Sequence, residues 1–238
     1  MFELATKFKP SSAAPFETAV CAGYRCAELW TGPDVLADVP RVVALAHSFP
    51  GLRYALHFPT RRDLTAAQLR AVVELYRALD CRSMTIHQLE YDLYAGELAQ
   101  LDAGLTLAVE NGDLTPTEFA AWAERNQYLT LDAEHLWMFT NPGIDCAAAS
   151  AAVAELLAAH AHKLRHVHLP GNRGGPEEHR PMVEGREYVS AVLDRLADVG
   201  YEGFVVSEVD REYQTFDVLV ADRLFFEAWQ TVRRERPV

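Results

Sequence analysis

Residues 105–135 read LTLAVENGDLTPTEFAAWAERNQYLTLDAEH, which is one complete strand–helix–strand unit. The apolar runs Leu105–Glu110 and Tyr128–Asp132 have the length and composition of buried strands. Between them, Thr115 is placed as the N-cap of a helix over Thr117–Arg125. Each apolar run ends on an acidic residue. This unit has the pattern that the rest of the chain repeats.

Eight apolar runs predict eight strands, and a helical pattern follows nearly all of them, most loosely at Ser11–Ala22. The predicted strands are Phe2–Phe8, Cys26–Trp30, Leu52–Phe58, Ser83–His87, Leu105–Glu110, Tyr128–Asp132, Leu164–His168 and Phe204–Glu208. Eight units of about 30 residues predict an α/β protein with a single (β/α)8 TIM barrel. No linker divides residues 1–238, so we expect one domain. An open doubly wound sheet would carry a glycine-rich turn after the first strand, and Lys9-Pro10-Ser11-Ser12 lacks one.

Composition and charge narrow the functional classes. The 238 residues are 50% hydrophobic and 24% charged, and 22 basic against 34 acidic residues give a net charge of −12. This balance argues against nucleic acid as a partner, because phosphates require a basic face. The four cysteines show no disulfide or zinc-ribbon spacing, and no signal segment or membrane span is apparent. These features predict a reduced, cytoplasmic protein that does not associate with membranes.

Seven consecutive predicted strands carry a carboxylate or an imidazole at or near their C-terminal end. These residues are Glu28, His57, His87, Glu110, Asp132, His168 and Glu208. In a (β/α)8 barrel the C-terminal strand ends gather at the functional face, and ionisable groups in apolar strands are costly unless paired or metal-bound. Carboxylate and imidazole groups without thiolates suit divalent Mn, Mg, Fe, Co or Zn. The sequence therefore predicts a metal site at this rim.

Taken in order, the motifs resemble those of the xylose isomerase-like barrel superfamily. The matching pieces are Glu110-Asn111, Asp132-Ala133-Glu134-His135, His166-Val167-His168-Leu169, His179 with Val183-Glu184-Gly185, and Gly200–Glu208. This superfamily includes sugar isomerases, ketose 3-epimerases and zinc abasic-site endonucleases. The resemblance covers essentially the whole chain. It departs at Pro170-Gly171-Asn172, which replaces a segment that carries an acid in the family, and at the loop Val183–Arg186.

The resemblance implies a set of site residues. The metal ligands would be Glu110, Asp132, His168 and Glu208, and both glutamates would also act as catalytic acid and base. Additional metal or substrate ligands would be His57, His87, His135, Glu177 and His179. The cofactor would be one to three divalent ions of Mn, Zn, Mg or Co. From the strand positions, we expect Glu28 to support His57 by hydrogen bonding rather than bind metal itself.

Three functions are compatible with this site. The leading hypothesis is a metal-dependent isomerase or epimerase of a sugar or small hydroxy-carbonyl compound, in which Glu110 and Glu208 transfer a proton through a metal-stabilised enediolate. The first alternative is a multi-zinc phosphoesterase or abasic-site endonuclease-like enzyme, which the many histidines favour and the acidic charge opposes. The second is a barrel that binds metal and ligand without turnover. We expect a small, sugar-like substrate and leave open a homo-oligomer.

Overall fold

Eight parallel strands close into a barrel in the computed structural model, which describes residues 2–175 and 178–235. The strands are β1 Glu3–Phe8, β2 Cys26–Trp30, β3 Arg53–His57, β4 Met84–His87, β5 Leu107–Glu110, β6 Leu129–Asp132, β7 Leu164–His168 and β8 Phe204–Val206. Each pairs with the next along the chain, and β8 pairs with β1. The predicted (β/α)8 barrel is confirmed.

Helices cover the outside of the barrel. They are α1 Ala13–Cys21, α2 Pro33–Leu36, α3 Val39–His47, α4 Ala66–Ala78, α5 Gln88–Leu101, α6 Pro116–Arg125, α7 Ala133–His135, α8 Cys146–His160, α9 Arg186–Asp198 and α10 Phe216–Glu235. Thr115 caps α6 as predicted, since its side chain accepts a hydrogen bond from the amide of Glu118. No helix among the described residues is both long and apolar enough to cross a membrane.

The last strand is shorter than the apolar run predicted. It ends at Val206, and Glu208 has a φ of 34°, in the left-handed region that non-glycine residues seldom adopt. The chain therefore turns out of the sheet just before this carboxylate. Such backbone strain is typical of functional positions.

The lower part of the barrel interior is apolar. Ala5, Cys26, Ala55, Phe204 and Val206 form one buried cluster there. Since side chains two residues apart on a strand share a face, the residues that follow them toward the strand ends also point inward. The ionisable groups therefore form a polar layer next to this apolar cluster, at the C-terminal end of the barrel.

Candidate metal centre

The barrel holds four groups of possible metal ligands, and three of them lie together at its C-terminal end. The remaining group, Glu28 with His166 and His168, lies deeper in the barrel. The first cluster is His57, His87 and Glu110; the second is Glu110, Asp132, His168 and Glu208; the third is Asp132, His135 and His179. Within each cluster, one ligand atom per residue lies within 4.8 Å of all the others. Glu110 is shared by the first and second clusters, and Asp132 by the second and third. The predicted ligand Glu177 lies outside the described residues.

In the first cluster, two imidazoles face one carboxylate oxygen. Nε2 of His57 lies 3.3 Å and Nε2 of His87 lies 3.0 Å from Oε2 of Glu110. His57 donates from Nδ1 to the carbonyl of Phe58 at 2.9 Å, which leaves a lone pair on Nε2 of the neutral ring. Burial, together with the charge of Lys7, lowers the pKa of His57 and favours that neutral ring. A lone pair facing a carboxylate oxygen fits a bound cation.

The second cluster is centred on His168. Its Nδ1 lies 2.9 Å from Oε1 of Glu110, 2.6 Å from Oε2 of Glu208 and 3.9 Å from Oδ2 of Asp132. Asp132 is completely buried, and burial raises the pKa of its carboxyl to about 6 against the attraction of His135.

Several buried oxygens of these clusters accept no hydrogen bond of normal geometry, although imidazole nitrogens lie near them. Within residues 2–175 and 178–235, this holds for Oε2 of Glu110, Oδ2 of Asp132 and Oε2 of Glu208. Buried carboxylate oxygens without donors are costly unless a cation binds them. The donor set, with imidazoles and carboxylates in shared clusters, therefore fits divalent ions.

The third cluster depends on a loop after β7. Nδ1 of His135 lies 3.5 Å from Oδ2 of Asp132, and Nε2 of His179 lies 3.4 Å from Oε2 of Glu134. Glu134 also accepts the backbone amide of Glu178 at 2.9 Å, which fixes the loop that carries His179. Burial alone would lower the pKa of His135, but the charges on Asp132 and other carboxylates outweigh it and raise that pKa to about 9.

The prediction that Glu28 supports His57 is wrong. Trp30, rather than Glu28, lies beside His57 in the β2–β3 register, so Glu28 lies two residues deeper in the barrel. There Oε2 of Glu28 lies 2.9 Å from Nε2 of His168 and in close contact with Nε2 of His166. Burial opposes ionisation of Glu28, but His168 and Lys7 outweigh it and hold its pKa well below the usual value. Glu28 therefore orients His168 from below.

Lys7 lies among these clusters, although it is neither an acid nor an imidazole and so falls outside the sequence pattern that predicts them. It lies beside Glu28 in the β1–β2 register, and its Nζ is 3.5 Å from Oε1 of Glu28. It also forms a close ion pair with Oε1 of Glu208. Its side chain is only 12% exposed. The signal in the sequence was a lysine that shares the inward face of Ala5 near the end of an apolar strand.

A cavity of about 880 Å³ opens beside the second cluster. Lys7, His179 and Glu208 line its inner side, and Trp30 and Arg211 are among the residues of its outer wall. The cavity is therefore bounded by residues of both the second and the third clusters, and it provides room for a small substrate next to them.

Comparisons with known proteins find similarity in structure only. No protein-family model matches the sequence, and no curated protein matches it either. A D-tagatose 3-epimerase-like protein has a TM-score of 0.74 at 18% identity, with 98% of this chain and 99% of that chain covered. Endonuclease IV from Thermus thermophilus has a TM-score of 0.68 at 19% identity, with coverage of 95% and 99%.

A D-psicose 3-epimerase from Clostridium cellulolyticum, solved with D-tagatose, is also similar. Its TM-score is 0.62 at 14% identity, and the match covers 95% of this chain and 99% of that one. At such identities the likeness establishes the fold. This chain has the same (β/α)8 barrel fold as these three proteins.

Proposed function

We propose that this protein is a multi-metal enzyme that hydrolyses phosphate esters of small molecules. The observation that carries the proposal is the joining of three ligand clusters through two shared carboxylates, Glu110 and Asp132. Sites with neighbouring divalent ions recur in phosphatases and nucleases. Ions held there would supply positive charge that stabilises phosphoryl oxygens and would make water more acidic.

The contacts of Glu110 favour hydrolysis over proton transfer at carbon. Its Oε1 faces His168 at 2.9 Å, and its Oε2 faces His57 and His87. A carboxylate that abstracts a substrate proton needs an oxygen within reach of that proton. Both oxygens of Glu110 are directed at ligand nitrogens instead, and the side chain is buried. This arrangement supports a purely ligating role for Glu110.

The charge of the chain supports a small substrate. A net charge of −12 opposes the approach of a nucleic acid backbone. Lys7 and Arg211 nevertheless place positive charge on the wall of the cavity beside the second cluster. A small phosphate ester that entered that cavity would meet both of these cations.

A metal-dependent sugar isomerase or epimerase is the second candidate. The observation that favours it is Glu208, the one acid of the second cluster that lines the cavity, with 14% of its side chain exposed. In this case Glu208 would exchange a proton with a sugar, and Glu110 would exchange one at the opposite face of that sugar. The fold similarity to a D-tagatose 3-epimerase-like protein is compatible with either candidate.

Metal analysis with matched activity assays tests the proposal. Plasma mass spectrometry of the zinc- or manganese-loaded protein should count about two to three ions per chain. The double variant His57→Ala/His87→Ala should lose about one of these ions. His162→Ala is the control, since His162 is exposed just before β7, at the other end of the barrel, and should change nothing.

The loaded protein is then assayed with p-nitrophenyl phosphate and bis(p-nitrophenyl) phosphate, and with a panel of ketoses in D₂O followed by NMR. Phosphate release or p-nitrophenolate formation supports the hydrolase. Deuterium incorporation into a ketose, with about one ion per chain, supports the isomerase instead. Full metal loading with no turnover in either assay would indicate a barrel that binds metal and ligand without catalysis.

A further inference from the structure

Lys7 places a permanent positive charge at the junction of the metal centre and the cavity. Its Nζ contacts Glu208, which belongs to the second cluster, and Glu28, which orients His168. The same side chain lines the cavity of about 880 Å³. Lys7 is therefore placed to touch both the ligand shell and a molecule bound in the cavity.

Lys7 differs from Lys9 and Arg211, which also line the cavity, in its contacts with the ligand clusters. In the described part of the chain, no other lysine or arginine forms an ion pair with a residue of the three clusters. An ammonium group has three donors; Glu208 accepts from one of them, and Glu28 lies 3.5 Å away as a second ion-pair partner. One donor is left for a ligand in the cavity.

We propose that Lys7 is a catalytic residue that donates a hydrogen bond to a non-bridging oxygen of the substrate's phosphoryl group. This inference rests on the proposed phosphoester hydrolysis. In that reaction the oxygen of water forms a bond to phosphorus, the ester bond from phosphorus to oxygen breaks, and the alcohol leaves with a proton from the water. Lys7 keeps its own proton throughout. Its contribution is a charged donor aimed at the oxygens on which negative charge is spread.

The other interpretation of Lys7 is that it only positions Glu208. Oε1 of Glu208 is held by Lys7, and Oε2 faces His168. If this positioning were its whole role, then loss of the ammonium would first weaken metal binding. A substrate-contacting role would instead reduce turnover and phosphate binding while the ions stay bound.

The test compares Lys7→Met and Lys7→Arg with wild type, all loaded with metal, and Arg62→Met serves as the control. Arg62 is an exposed cation in the loop after β3, outside the clusters and the cavity wall. Lys7→Met should retain its ions by plasma mass spectrometry and lose on the order of 10²-fold in kcat with bis(p-nitrophenyl) phosphate. Lys7→Arg should recover part of this loss. Circular dichroism confirms that both variants fold.

Calorimetric titration with inorganic phosphate separates this inference from the proposed function. Phosphate affinity should fall about tenfold or more in Lys7→Met and remain at the wild-type value in Arg62→Met. If metal-loaded wild type binds phosphate but hydrolyses no ester, the proposed hydrolase function is wrong. The titration of Lys7→Met then still tests whether Lys7 contacts phosphate. Unchanged phosphate affinity in Lys7→Met, no phosphate binding by wild type, or a loss of kcat that matches a loss of metal would each overturn the inference.

Discussion

Nε2 of His168 lies 2.9 Å from Oε2 of Glu28, and both side chains are completely buried. The carboxylate of Glu28 can only accept, so Nε2 of His168 donates to it, and Nδ1 would present its lone pair to a cation bound in the second cluster. A carboxylate behind a ligating histidine fixes the ring and makes its other nitrogen a better ligand. Glu28 can thus influence the second cluster through the His168 ring.

Replacement of Glu28 by glutamine should weaken metal binding. The amide oxygen can still accept from His168, but the negative charge that raises the basicity of Nδ1 is lost. We expect a decrease of about 10–100-fold in metal affinity, measured by competition with a chromogenic chelator. Glu74→Gln, on the exposed face of α4, is the control. Equal chelator curves for Glu28→Gln and wild type would show that His168 needs no such support.

Much of this site could be predicted because a parallel barrel brings equivalent strand ends together. Glu110, Asp132 and His168 close adjacent strands β5, β6 and β7, so their proximity follows from the order of the strands. The partner of Glu28 could not be predicted in this way. It depends on the stagger between strands and on a side-chain contact across the barrel, from β2 to β7. The local sequence pattern of each strand does not specify either of them.

The position of His179 was also beyond the sequence pattern. It lies in a loop whose path is set by backbone contacts between Gly171 and Arg180 and by the buried carboxylate of Glu134. These contacts join residues that have no periodic relationship. The motif identified His179 as a candidate, and only the folded loop brings it within reach of Asp132.

A methyl group at Gly185 should displace this loop. A Cβ built there would lie 2.5 Å from the backbone nitrogen of Asn172 and 2.8 Å from Cα of Gly171, and backbone atoms cannot move aside cheaply. We expect Gly185→Ala to move the segment that carries His179 and to reduce the metal content by about one ion per chain, measured by plasma mass spectrometry. The control is Gly51→Ala, since nothing lies within 4 Å of a Cβ at Gly51. Full metal loading of Gly185→Ala would mean that the third cluster holds no ion.

Metal binding should strengthen as the pH rises from about 6 to about 9. His135 has a pKa of about 9 and Asp132 a pKa of about 6, so both groups carry protons over part of this range that a cation must displace. Below these values protonation competes with the ion, and above them the ligands are free to bind. Calorimetric titrations in buffers of different ionisation enthalpy would measure the protons released. In His135→Ala the release should diminish, and equal proton release by both proteins would contradict the assignment.

Asp222 should make the folded protein less stable as the pH rises. It is completely buried on α10, and its Oδ1 accepts the amide of Val183 at 3.2 Å, whereas its Oδ2 accepts no hydrogen bond from any described residue. Burial raises the pKa of this carboxyl to about 7, compared with 3.8 for an ordinary aspartate. The folded state therefore binds a proton that the unfolded state has already lost. The free energy of unfolding of the protein falls as the pH rises from about 4 to about 7. Above about pH 7 it stays at the lower value.

Asp222→Asn removes this ionisation and should flatten the pH dependence. Relative to wild type, the variant should gain up to about 4 kcal/mol in free energy of unfolding between about pH 4 and pH 8, measured by urea denaturation. The amide oxygen can still accept from Val183, so the gain is not offset by loss of that hydrogen bond. Asp217→Asn, at an exposed position of the same helix, should show the same pH dependence of the free energy of unfolding as wild type. If Asp222→Asn also shows the wild-type pH dependence, then Asp222 has an ordinary pKa and its carboxyl is solvated in the folded protein.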